Sequence, residues 1–164
     1  MKATGSDSAL ELSLDSKPIV VLNHAKLGFS LDGRAYNVRR SGFFGPLYEL
    51  QQDGRTIVSA KQAVFAYRYT VSFGQHTWML KTMDFTEKRF GLFDGITEVG
   101  NISPASPIHY TSDTIDLPEV LPLAGQVFLM WLLLWKWRCP VDVKPRSGLR
   151  HMLKQSQSEG VTRA

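Results

Sequence analysis

Four histidines (His24, His76, His109 and His151), one cysteine (Cys139) and the acid pair Asp84 and Glu87 are the residues of this chain whose types could do chemistry. Histidine binds metals or moves protons near neutral pH, a thiolate attacks electrophiles, and paired carboxylates can divide acid and base roles. The spacing supports none of these. The histidines are scattered, and no HExxH, zinc-type Cys/His spacing, Gly-rich phosphate loop or GxSxG elbow accompanies them. Cys139 follows Arg138, a cation that would favour its thiolate, but a thiol there is more simply a small hydrophobe at a helix end. Asp84 and Glu87, in "KTMDFTEKR", read as solvated loop charges. No catalytic residue, metal or cofactor is expected, and a non-enzymatic role follows.

The charge is unevenly placed. From Met1 to Trp135 there are 12 Lys or Arg against 13 Asp or Glu, so the net +4 arises from the C-terminal segment. Lys136, Arg138, Lys144, Arg146, Arg150, Lys154 and Arg163 stand there against Asp142 and Glu159. Residues 140–164 are expected to be a basic disordered tail, and residues 1–9 a flexible N-terminus. No basic face with aromatic platforms is evident on the body, so nucleic acid is not an expected partner. The lone cysteine fits a reducing compartment, and residues 1–16 hold no apolar run of signal-peptide length. A cytoplasmic location, peripheral to a membrane if the tail meets lipid, is the expectation.

Residues 10–139 read as one domain, in keeping with a chain of 164 residues that is 43% hydrophobic. Asp32-Gly33, Asp53-Gly54 and Asp94-Gly95 are two-residue hairpin signals, with Phe73-Gly74-Gln75 and Gly100-Asn101 as weaker ones. Between them lie short runs such as "LGFSL", "RAYNVRR", "GPLYELQ", "RTIVSAK", "HTWMLK" and "KRFGLF". The clearest strand is "YRYTVSF". Tyr67, Tyr69, Val71 and Phe73 fall on one face, Arg68, Thr70 and Ser72 on the other. Trp78 with Leu80, and Phe90 with Leu92, repeat the pattern. Eight or nine strands result, joined as an antiparallel meander that would curl into a barrel or sandwich; a mixed α+β domain is the alternative.

After the Pro/Ser-rich "SPASPIHYTSD", the chain reads "IDLPEVLPLAGQVFLMWLLLWKWRCP". Asp116 and Glu119 resemble a capping box, Pro118 is tolerated in a first turn, and Pro122 is a competing first residue. Cys139-Pro140 is a stop signal, which gives a helix over about 118–138. The apolar run from Leu121 to Trp135 spans 15 residues, roughly 22 Å at about 1.5 Å each. A hydrocarbon core of about 30 Å needs about 20. A single-helix anchor through 121–137 is therefore an alternative only. Val127, Phe128, Met130, Trp131, Leu132, Leu133, Leu134 and Trp135 leave no polar face, so the helix should be buried all round. That burial would contribute on the order of 15–25 kcal/mol as an upper bound.

The "DGRTIVSAK" hairpin, the "YTVSFGQHTWMLK" strand pair, "RFGLFDGITEVGNI" and the helix "DLPEVLPLAGQVFLMWLLLWKW" together resemble the tubby C-terminal-like superfamily. That group includes tubby proteins, LURP-one-related proteins and phospholipid scramblases. The resemblance implies a mainly β fold with one C-terminal helix, the meander closing into a barrel around that central helix. The full fold has twelve strands, which leaves room here for a reduced or partly open barrel. It further implies binding of phospholipid or phosphoinositide, or of a protein partner at a membrane surface. Lys144, Arg146, Arg150 and Lys154 are the candidate contacts to anionic lipid, at about 1 kcal/mol per cation. An enzyme with a pocket at the barrel mouth is a third reading.

Overall fold

The structure is a computed structural model that describes residues 1–5, 9–23, 26–64, 68–83, 89–104 and 112–138. Twelve strands form one antiparallel sheet, followed by one helix. The strands are β1 (Lys2–Gly5), β2 (Ala9–Leu14), β3 (Lys17–Asn23), β4 (Gly28–Leu31), β5 (Arg34–Ser41) and β6 (Leu47–Gln52). There follow β7 (Arg55–Gln62), β8 (Arg68–Phe73), β9 (His76–Thr82), β10 (Phe90–Asp94), β11 (Thr97–Pro104), β12 (Ser112–Asp116) and α1 (Leu123–Arg138).

The Asp-turns are where the hairpins are. Asp32-Gly33 and Asp53-Gly54 are two-residue turns with positive φ at both residues, whereas the third turn is Gly95-Ile96, one residue later than expected, because Asp94 ends β10 and pairs with Thr97. Period two holds as well. In β8, Tyr69 and Val71 are buried while Arg68 and Thr70 are exposed; Tyr67 lies outside the described residues. Trp78, Leu80, Phe90 and Leu92 join the same core.

Three local expectations are corrected. Gly100-Asn101 is no turn: both residues lie inside β11, where a Cβ on Gly100 would sit 2.7 Å from the Asp116 carbonyl oxygen of β12. Glycine is there for a close strand approach. The Asp116/Glu119 pair does not start the helix, because Asp116 ends β12 and the Leu121 N–H bonds the Pro118 carbonyl in an intervening turn. The helix begins after Pro122, whose carbonyl accepts from the Gly125 and Gln126 N–H groups. Finally, strand pairing begins at Lys2, with β1 between β2 and β12, ahead of where the sequence pattern starts.

The helix is buried on every side. Val127 through Leu134 are 0–1% exposed, and they share one cluster with residues from strands at both ends of the sheet order. Trp131 packs edge-on against Tyr48 at 6.3 Å between centroids, and Val58 sits against Gly125. The helix therefore points from the turn end of β6 and β7 toward the β5–β6 connection.

The expected barrel does not close. Hydrogen-bonded neighbours run β3-β2-β1-β12-β11-β10-β9-β8-β7-β6-β5-β4, and no ladder joins β3 to β4. The α1 helix lies in the core of an open sheet and does not thread a closed barrel. The tubby-like resemblance requires closure and is overturned with it. The tubby-like lipid or membrane-surface function and the barrel-mouth enzyme rested on that closure and go as well. The single-helix anchor also fails: among the described residues no helix is long and apolar enough to cross a membrane.

Candidate functional site at the open seam

The break in the ladder has a defined chemistry. β3 and β4 follow one another in the chain, and the pairings of β1 to β12 and of β4 to β5 make them run in opposite directions. Elsewhere in this sheet such neighbours are hydrogen-bonded; here a groove of about 670 Å³ lies between and beside them. Val21 and Leu27, 60% and 56% exposed, stand on its rim. Val21 is out of phase with the core, since Val20 and Leu22 are the buried residues of β3, and Leu27 lies in the connection just before β4.

Phe29 and Tyr36 line the groove more deeply, stacked at 5.3 Å and 22° and both buried. Gly28 lets β4 approach β5: a Cβ there would lie 2.4 Å from the Tyr36 carbonyl oxygen. The seam connection is pinned from two sides. The Lys26 N–H donates to the Asn23 carbonyl at 3.1 Å, and the Val38 N–H to the Leu27 carbonyl at 2.9 Å. From the core, the Trp131 indole N–H donates to the Lys26 carbonyl at 3.1 Å.

Edge strands usually carry devices against unwanted pairing, such as lysine and proline. β3 has them at its start only. Lys17 and Pro18 are exposed there, and Pro18 has no N–H to offer. The later part of the strand, which carries Val21 and Asn23 into the groove, has neither. Asn23, Lys26, Ser30 and Asn37 supply amides, an ammonium and a hydroxyl among these apolar groups. Such a lining suits an extended polypeptide: polar groups for its backbone, apolar ones for alternate side chains.

The residues singled out from sequence are not assembled here. Lys144, Arg146, Arg150, Lys154, Cys139, His24, His109, His151, Asp84 and Glu87 lie outside the described residues. His76 stacks on Trp78 at 5.2 Å and 10°, beside the β8–β9 turn. Among the described residues no group of three His, Cys, Asp or Glu is placed to hold a metal ion. The helix residues Val127, Phe128, Met130, Trp131, Leu132, Leu133 and Leu134 are core; the side chain of Trp135 lies outside the described set. Sequence reading missed the seam because "KPIVVLN" was not recognised as a strand. Its signal is a run of four apolar residues, Ile19 to Leu22, in which Val21 cannot share a face with Val20 and Leu22.

In comparisons with known proteins, no family model, curated protein or solved structure matches this chain.

Proposed function

We propose that this chain is a polypeptide-binding domain, which takes an extended segment of a protein partner into the seam between β3 and β4. One observation carries the reading: among the described residues of this twelve-stranded meander, consecutive β3 and β4 alone among sequential pairs lack a ladder, and a groove with an apolar rim lies there. Backbone pairing with the latter half of β3 would supply affinity. Val21, Leu27 and the Phe29–Tyr36 pair would select apolar side chains at alternate positions. β3 and β4 already come within 8 Å of one another, so a strand added between them would part them and join the β3 edge.

A displayed library of random decapeptides tests this. Selected binders should share apolar residues at alternate positions and slow amide exchange in Ile19–Asn23. Val21→Asp and Leu27→Asp, both at exposed positions, should each weaken binding at least about tenfold, a loss of ~1.4 kcal/mol. Binders that protect another part of the sheet, or a library that yields none, would overturn the assignment.

A further inference from the structure

Charge is segregated along this sheet. Between Gly33 and Met83, the stretch that holds β5 to β9, seven Lys or Arg stand against only Glu49 and Asp53, a net +5. In an antiparallel meander alternate connections fall at opposite ends. The β5–β6 and β7–β8 connections therefore lie together, at the opposite end from the Asp32 and Asp53 turns. Arg39, Arg40, Lys61 and Arg68, all exposed, stand on the strands that enter and leave these two connections. From Asn37 to Tyr48 and from Ala60 to Tyr69 there is no acid at all. Glu49 lies across the ladder from Arg39, but its carboxylate accepts from the Thr56 hydroxyl at 3.1 Å, on the side toward the Asp53 turn. Among the described residues only Arg89 and Glu98 form an ion pair, so the four cations have no carboxylate partner.

The β5–β6 turn sets two aromatic rings among them. Phe43 and Phe44 are 85% and 75% exposed and meet edge to face, with centroids 5.0 Å apart and planes at 85°. In that arrangement one ring lends only its edge, so neither of its faces is covered by its neighbour. The turn is built to hold the rings out. Gly42 and Gly45 have φ of 81° and 65°, and the Gln62 N–H bonds the Pro46 carbonyl at 2.9 Å. A Cβ on Gly45 would lie 2.9 Å from the Gln62 carbonyl oxygen and 3.1 Å from the Val64 side chain, so the turn is seated against the β7–β8 connection. Lys61 stands across the ladder from Leu47 at the base of the turn, and the Arg40 guanidinium lies 5.9 Å from the centre of the Tyr48 ring. The fold thus gathers a basic face with aromatic rings that no single stretch of sequence displays.

We infer that this end of the sheet binds single-stranded nucleic acid, its phosphates held by Arg39, Arg40, Lys61 and Arg68 and its bases stacked on Phe43 and Phe44. One repeating ligand answers both features, because each nucleotide carries a negative charge and a flat π-face. Guanidinium groups suit phosphate through their fork of donors. Rings held out on a turn can enter a stack of unpaired bases, whereas the base faces of a duplex are already covered. An acidic polypeptide would satisfy the cations and leave the two rings in need of a pocket. The site uses no residue that lines the groove between β3 and β4, so it stands or falls apart from the polypeptide-binding reading.

Fluorescence anisotropy with the full chain and a labelled oligothymidylate of about twelve nucleotides tests this. Binding should weaken as salt rises from about 0.05 M to 0.5 M. Phe43→Ala/Phe44→Ala should weaken it at least about tenfold at constant salt, and Phe43→Trp/Phe44→Trp should keep it. Arg39→Gln/Lys61→Gln should weaken it too, and should flatten the slope of log K against log salt by about 0.7 per cation lost. All four positions are exposed, so the melting transitions should be unchanged. A duplex of the same length and polyglutamate should each bind more weakly than the oligothymidylate. No binding, or binding that either the alanine or the glutamine pair leaves at wild-type strength, would overturn the inference. Polyglutamate that binds as tightly would overturn it in favour of an acidic protein partner, and a duplex that binds as tightly would overturn it in favour of charge alone.

Discussion

Trp131 and Lys26 are 105 positions apart in sequence, and the indole N–H of one donates to the carbonyl oxygen of the other at 3.1 Å. The bond links the middle of the buried helix to the connection beside the open seam. Helix and seam are therefore one mechanical unit: the helix that fills the core also fixes where the groove-lining residues 26–28 lie.

Replacing Trp131 by Phe keeps most of the apolar volume and removes the donor. Loss of a partner for a part-buried carbonyl costs about 1–3 kcal/mol. The chemical-denaturation midpoint should fall accordingly, and the amides of Lys26, Leu27 and Gly28 should exchange faster while those of β7 and β8 do not. An even change across all strands would show that the bond has no special tie to the seam.

The face assignment in β8 predicts opposite outcomes for neighbouring substitutions. Val71 is fully buried and Thr70 exposed. Val71→Asp should unfold the domain, since an unpaired buried carboxylate costs several kcal/mol against a total stability of about 5–15. Thr70→Asp should shift the melting midpoint by less than about 0.5 kcal/mol equivalent. Equal tolerance in a thermal melt would refute the register.

Much of this architecture was legible. Asp32-Gly33 and Asp53-Gly54 announce hairpins because few other dipeptides take that backbone, Gly95 marks a third one residue later than its Asp-Gly pair suggests, and a helix without a polar face can only be buried. What stayed hidden is non-local. "ALELSL" alternates cleanly, yet no local signal says that β1 and β2 extend the sheet beyond β12, a pairing across more than a hundred residues. The same holds for closure. Whether β3 and β4 form a ladder depends on how twelve strands share the curvature of one sheet, which no hydrophobic period encodes. The seam, and with it the candidate site, is a property of the assembled sheet.

Lys placed at Leu133 tests the core role of the helix. Leu133 is fully buried in the run from Val127 to Leu134, so an ammonium there has no route to water. The variant should lose its cooperative transition, as should a chain ending at Leu117, whose sheet would have lost the helix that fills its core. A sharp melting transition in the 1–117 fragment would show that the sheet stands without α1.

Gly28 tests how closely β4 must lie on β5. A Cβ at 2.4 Å from the Tyr36 carbonyl oxygen has to push backbone away. Gly28→Ala should destabilise the protein by about 1–3 kcal/mol and lower peptide binding at the seam. Gly54→Ala gives the comparison: nothing lies within 4 Å there, and only the positive φ of 76° resists. A smaller loss of stability for Gly28→Ala than for Gly54→Ala would contradict the close β4–β5 approach.

The open seam itself is tested most directly by cross-strand nuclear Overhauser contacts in the free protein. Antiparallel ladders bring opposed Hα atoms close, Cα pairs being about 4.5 Å apart at non-hydrogen-bonded positions. Such Hα–Hα contacts should appear between every neighbouring pair in the order from β3 through β12 to β4, for example at β6–β7 and β8–β9. Between Lys17–Asn23 and Gly28–Leu31 no regular series should appear, although the strands come close beside their connection. A regular series of Hα–Hα contacts across β3 and β4, with slow exchange of the intervening amides, would mean that the sheet closes on itself and has no free edge to offer a partner.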